Sequence, residues 1–153
     1  MSEQEQLDDV GPPAGGTGAP RARGPLRRDV HLRVSATAAE VTPIRHAVLD
    51  SAEAHGIAAA LRADIALAVT EACANVVTHA YRDATAPGPL TVEVYNDRRE
   101  FVVVVSDRGP GIAPRADSPG IGMGLALIAG VAHRLEISND DTGARLTMAF
   151  AGG

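Results

Sequence analysis

From about residue 30 onward the period of the apolar positions changes several times, and each change marks an element. "VHLRVSA" (30–36) alternates and predicts a strand. From about Glu40 to His55 the pattern is helical, with Thr42 placed to cap, Pro43 suited to a first turn and Gly56 as the stop. A second helix is predicted from about Ala58 to Tyr81. There Leu61, Ile65, Ala68, Val69, Ala72 and Val76 recur at spacings of three and four and form one apolar stripe. "APGP" (86–89) breaks the chain. "LTVEVYND" (90–97) and "EFVVVVSD" (100–107) then predict a hairpin turned by Arg98 and Arg99. The four consecutive valines of the second segment suit a strand buried on both faces. A loop crowded with glycine and proline, "RGPGIAPRADSPGIGMG" (108–124), leads into the helical "LALIAGVA" (125–132). "HRLEISND" and "ARLTMAF" predict a last hairpin turned by "DDTG". The order β-α-α-β-β-loop-α-β-β does not alternate strictly. It therefore predicts an α+β fold, a two-layer sandwich with a mostly antiparallel sheet, and not a doubly wound parallel one.

Residues 1–28, including "GPPAGGTGAPRARGPLRR", are rich in Gly, Pro and charge and read as a disordered tail. Residues 29–153 read as one domain, a length that can bury a real core. Aromatics make up only 3% of the chain, so Val, Leu, Ile and Ala must build that core. Scarce aromatics and a net charge of −5 also argue against nucleic acid as a partner. All 14 basic residues are arginine. Without lysine there is no Walker A phosphate lysine, no strand lysine of a eukaryotic-type kinase and no Schiff base. The single cysteine, Cys73, lies within the second predicted helix and reads as a packing residue. No apolar run approaches the roughly 20 residues of a membrane span, and the acidic N-terminus does not resemble a secretory signal. A cytoplasmic protein is expected.

Three segments carry candidate chemistry. In "EACANVVTHAY" (71–81), Glu71, Asn75 and His79 stand four apart on the second helix. Such residues are neighbours, although each step drifts by about 40° around the axis. Glu71 and Asn75 should flank the buried stripe, half sheltered. A sheltered carboxylate can serve as a base, and an amide oxygen can ligate a hard cation whose other ligands are phosphate and water. Alone, the stripe reads more readily as a solvated helix flank. In "SDRGPGI", Asp107 ends an apolar strand as an acceptor for a donor such as an exocyclic amine. Gly109 and Gly111 would let the backbone pass close to a flat ligand. Alone this is an ordinary turn. In "GIGMGLALIAG", Gly120, Gly122 and Gly124 open the third helix and offer bare N–H groups to an anion. A dinucleotide fingerprint would require glycine at position 127, where Leu127 stands, and a strand directly before the loop.

Taken together, "EACAN", "DRGPG" and "GIGMGL" resemble the N, G1 and G2 boxes of the GHKL ATPase superfamily, which includes gyrase, MutL and histidine kinases. The resemblance spans about residues 30–150. It is greatest to the stand-alone anti-sigma-factor serine kinases of bacterial partner-switching systems, which carry Glu four residues before the Asn and "HAY" or similar after it. The resemblance implies the two-layer GHKL (Bergerat) fold, its sheet covered by three helices on one face. It implies ATP and Mg²⁺ as cofactors. Glu71 would be the general base for a substrate serine, Asn75 the Mg²⁺ ligand and Asp107 the acceptor for the adenine amine. Gly109 and Gly111 would line the base, and Gly120, Gly122, Gly124 and Leu125 would lead the phosphates to the helix start. The implied reaction transfers the γ-phosphate to a serine of a small antagonist protein. The implied partners are that antagonist and a sigma factor, and a homodimer is typical of the family.

The chain departs from the family pattern at three places, one of them the N-terminal tail, which is not a family feature. Only eight residues, Arg115 among them, separate Gly111 from Gly120, where the family carries a longer lid. Ala144 follows Gly143 where the family usually has Thr, and Thr147 lies three positions on. A histidine-kinase catalytic half is disfavoured, because residues 1–28 suit no phosphoacceptor helix and no Phe lies between Gly111 and Gly120. Two alternatives stay open: a non-catalytic ATP-binding anti-sigma or regulatory protein, and an interaction domain with a decayed nucleotide site.

Overall fold

The valine-rich segment is the centre of the molecule. In a computed structural model, which describes residues 25–110 and 121–152, Phe101 to Val105 are all at most 4% exposed. They belong to β3 (Glu100–Asp107), the middle strand of a five-stranded sheet. The other strands are β1 (Arg27–Ser35), β2 (Pro89–Asn96), β4 (Arg134–Asp140) and β5 (Gly143–Ala151). Their order is β1-β2-β3-β5-β4, and every neighbouring pair is antiparallel. The last hairpin thus enters with β5 against β3, which leaves β4 at the edge.

Alternation sorts the side chains. Leu90, Val92 and Val94 of β2, Phe101, Val103 and Val105 of β3, and Leu146, Met148 and Phe150 of β5 share one core with the helices. These helices are α1 (Ala38–Ala54), α2 (Ala59–Asn75) and α3 (Ile121–Val131). The opposite parity gives a separate small cluster of Val102, Val104 and Ala149 beside Tyr95 on the sheet's other face. The α+β sandwich with one helix-covered face is as expected. Cys73 is fully buried in the core, as its setting predicted. No helix among the described residues is long and apolar enough to cross a membrane.

Four boundaries differ from expectation. β1 begins at Arg27, two residues inside the stretch read as tail. α1 starts at Ala38 with Thr37 at its N-cap, so Thr42 does not cap and Pro43 lies inside the helix. Thr37 and Glu40 have the T-x-x-E spacing of a helix start. The carbonyl that Pro43 leaves without an intrahelical donor is that of Ala39, an exposed residue where water can reach it. The end of α1 is as expected. Gly56 has φ 72°, its N–H donates to Glu53 O at 2.9 Å, and the Ile57 N–H donates to Ala52 O at 3.0 Å, which together form a Schellman stop.

The third difference bears on function. The predicted helix to Tyr81 is α-helical only as far as Asn75, and Val76–Ala80 form a π-helical turn. Such turns are rare and recur at functional sites. The fourth is the start of α3. It begins at Ile121, so Gly122 and Gly124 lie within its first turn and do not precede it.

Candidate functional site

Glu71 and Asn75 are one turn apart near the end of α2, and both are half-buried. The first turn of α3 packs directly on them. A Cβ added to Gly124 would lie 3.2 Å from both amide atoms of Asn75 and 3.3 Å from Glu71 Oε2. Any side chain at position 124 would crowd the polar pair, and glycine leaves the room. The Asn75 Nδ2 is buried and has no hydrogen-bond partner. A buried amide without a partner is costly and uncommon in native proteins, which marks a group that waits for a ligand. The leading N–H groups of α3 also have no acceptor within their own helix.

Beyond Asn75 the stripe does not continue as a row of three. His79 lies in the π-helical turn and its Nδ1 is 2.8 Å from Arg82 Nη2. Partial burial, followed by the Arg82 charge, holds the His79 pKa below its ordinary value. The ring is thus neutral and accepts from the guanidinium.

Asp107 sits at the end of β3, on the same sheet face as the core, and is 8% exposed. Its Oδ1 accepts from the Gly109 N–H at 2.8 Å and from the Ala144 N–H at 3.4 Å. The first bond closes an Asx-type turn. The second comes from the main chain of the position where the family usually has Thr, a bond any non-proline residue could make there, and the hydroxyl itself is absent. Thr147 pairs with Val104, a residue of the opposite face, and does not replace it. Two glycines permit this corner. A Cβ on Gly109 would fall 2.2 Å from Ala80 O, and one on Gly143 (φ 144°) would fall 1.9 Å from Asp107 O. The loop after β3 therefore rests its bare backbone on the end of the π-helical turn.

The three segments thus gather around the last turns of the second helix: Gly124 over Glu71 and Asn75, and Gly109 against Ala80. Leu125 is partly buried and packs on the core. Gly111, Gly120 and Arg115 lie outside the described residues. Among the described residues no group of three or more His, Cys, Asp or Glu side chains converges to hold a metal. Burial pushes the Cys73 thiol up to about 12, which excludes it as a nucleophile at neutral pH.

One residue of this region was not singled out from sequence. The Tyr81 hydroxyl accepts from the Arg108 N–H at 2.8 Å and donates to Pro89 O at 2.5 Å. Its hints in the sequence were the "HAY" of the family resemblance and Gly88 beside Pro89; in the structure a Cβ at position 88 would strike the Tyr81 ring at 2.2 Å.

The family model of the histidine kinase-like ATPase domain matches residues 34–150. The serine-protein kinase RsbW of Halalkalibacterium halodurans is 35% identical over 100 residues, 56% of this chain and 59% of that protein. The chain thus spans somewhat under two thirds of that relative's length. The serine-protein kinase RsbW of Bacillus mycoides is 27% identical over 127 residues, 73% of this chain and 78% of that one. Among solved structures, the RsbU and RsbW domains of a Mycobacterium tuberculosis protein superpose with a TM-score of 0.60 at 20% identity, covering 80% of this chain and 32% of that one. A chain of the SiaB–SiaC complex of Pseudomonas aeruginosa gives a TM-score of 0.61 at 15% identity, covering 81% and 90%. At these identities the structural matches speak for the fold alone.

Proposed function

The chain belongs to the histidine kinase-like ATPase domain family, and from that premise we propose that it is an ATP-dependent protein serine kinase of the anti-sigma-factor type. The observation that carries this reading is the carboxylate–amide pair of Glu71 and Asn75 packed under Gly124, with the Asn75 Nδ2 buried and unsatisfied. The names of the sequence relatives, serine-protein kinases, support the same assignment.

The residues present fit Mg-ATP. The Asn75 amide would hold Mg²⁺ through its oxygen, and its unpartnered Nδ2 would donate to a phosphate oxygen. Phosphates and water would complete the metal shell, since no carboxylate cluster is at hand among the described residues. Asp107 would accept from the adenine amine with the carboxylate capacity left beside its two backbone bonds. Gly109 and Gly111 would flank the base, and Gly120, Gly122, Gly124 and Leu125 would lead the phosphates to the start of α3. Bound Mg-ATP supplies the electrophilic γ-phosphorus. Glu71 would accept the proton of the substrate serine hydroxyl, whose oxygen would displace ADP at that phosphorus. Helix spacing puts this carboxylate one turn from Asn75, the proposed metal ligand, and both lie beneath Gly124.

The phosphoacceptor is a serine on an antagonist protein, and the second partner is a sigma factor held by the same domain, here working as a cytoplasmic homodimer. The test is incubation of the protein with ATP labelled at the γ-phosphate and candidate antagonists encoded beside it. Label on an antagonist serine is expected. ATP binding without transfer to any serine would favour the non-catalytic anti-sigma alternative.

A further inference from the structure

Tyr81 occupies a position in the sheet that backbone would otherwise fill. Leu90 of β2 and Asp107 of β3 are the last partners of their ladder, and the next pair outward would be Pro89 and Arg108. The Tyr81 hydroxyl stands between those two: it accepts from the Arg108 N–H at 2.8 Å and passes its own proton to Pro89 O at 2.5 Å. Proline has no N–H with which to return a bond across the ladder. β3 is thereby released from β2 immediately after Asp107, without leaving its N–H groups unpaired.

The tyrosine is itself anchored on both sides. Its backbone follows the π-helical turn that begins after Asn75, and its ring lies in a notch that only glycine at position 88 leaves open. The Gly88 carbonyl in turn accepts from the Ala36 N–H at 2.9 Å, so the wall of the notch is tied to the end of β1. On the far side, the Asp107 carbonyl occupies space that only glycine at position 143 leaves open, since a Cβ there would lie 1.9 Å away. The Asp107–Arg108 peptide is therefore held at its N–H by the hydroxyl, while its C=O fits against Gly143 only because that residue has no Cβ.

We propose that Tyr81 is a positioning residue of the nucleotide site: its hydroxyl fixes the Asp107–Gly109 loop relative to the end of the second helix and so sets the preference for adenine. This rests on the ATP-binding reading above. The Asp107 carboxylate meets the base only if its own peptide keeps its orientation, and Tyr81 is the residue that links that peptide to the helix carrying Asn75.

The experiment compares Tyr81→Phe with the wild type. Phenylalanine keeps the ring in the Gly88 notch and removes both hydroxyl bonds. ATP affinity should fall about five-fold, the value of one or two modest hydrogen bonds. GTP affinity should change by less than two-fold, so that the ATP/GTP ratio narrows, and Mg-tripolyphosphate binding should stay the same. A merely structural tyrosine would weaken all three ligands together. That outcome, or an unchanged ATP/GTP ratio in the folded variant, overturns the proposal. Gly88→Ala, which drives the ring from its notch, should reproduce the narrowed ratio and takes the place of Tyr81→Phe if that variant does not fold. Hydrogen exchange at the Arg108 amide gives a readout independent of nucleotide. It should be slow in the wild type and fast in Tyr81→Phe, and equal rates would also overturn the proposal. Failure of the wild type to bind ATP would strike the family-based reading, and the Arg108 amide would still decide whether the hydroxyl holds the loop.

Discussion

The corner at the end of β3 touches the π-helical turn that follows α2, at Gly109 and Ala80, yet the corner and the last turn of α2 are finished in opposite ways. At the corner, Asp107 accepts two backbone bonds, Tyr81 holds the next peptide, and Gly143 closes the far side. At the helix, the Asn75 amide nitrogen is buried and unmet. A group satisfied within the protein is set before the ligand arrives, whereas one left unsatisfied gains its partner only on binding. On the proposed ATP-binding reading, the contrast would place selectivity at the corner and metal and phosphate capture at the incomplete helix turn.

The sharpest way to break this division is at Glu71. Glu71→Gln keeps the size of the side chain and removes the proposed base, so γ-phosphate transfer should fall by about 10²-fold or more while the Kd for Mg-ATP holds. Unimpaired transfer would remove Glu71 as the base. Next in size, Asp107→Ala strips the acceptor from the Gly109 and Ala144 N–H groups. It should cost about 1–3 kcal/mol in urea denaturation without nucleotide and abolish discrimination of ATP from GTP. Asn75→Ala should have the opposite sign. It removes a buried amide that lacks a partner and installs a better helix former, so the nucleotide-free protein should gain up to about 1 kcal/mol while Mg-dependent ATP binding is lost. If both alanine variants were destabilised alike, the contrast between the two regions would be wrong. The smallest effect concerns His79. Its pKa is depressed in the folded chain by partial burial and then by Arg82. The unfolded chain therefore takes the proton first. This contribution to stability is intact above the ordinary histidine value of 6.5 and is lost as pH falls from there through the folded value. Urea midpoints measured from pH 5 to 7.5 should rise less steeply for His79→Gln than for the wild type.

What the sequence revealed and what it concealed divide along physical lines. The run Val102–Val105 announced a strand covered on both faces because burial on two sides needs no alternation. Gly56 announced a helix end because few residues accept its positive φ. Glu71 and Asn75 were legible because a spacing of four is a statement about one helix face. The π-helical turn was not, since an extra residue per turn shifts the phase without changing the residue types that a periodic pattern counts. The start of α1 at Ala38, behind the Thr37 N-cap, was hidden by Pro43, a stronger local signal that here sits on a solvent-facing turn where a lost bond is tolerated. Tyr81 could not have been found from spacing. Its partners, Pro89 and Arg108, meet it only through the register of β2 and β3, which is a property of the folded sheet.

The single thiol of the chain has a practical consequence. Cys73 is wholly enclosed, and its pKa of about 12 keeps almost none of it as thiolate at neutral pH. Maleimide and iodoacetamide reagents will pass over it in the native state. A fluorophore or spin label can accordingly be attached at one chosen surface site by adding a cysteine there, with no need to remove the natural one.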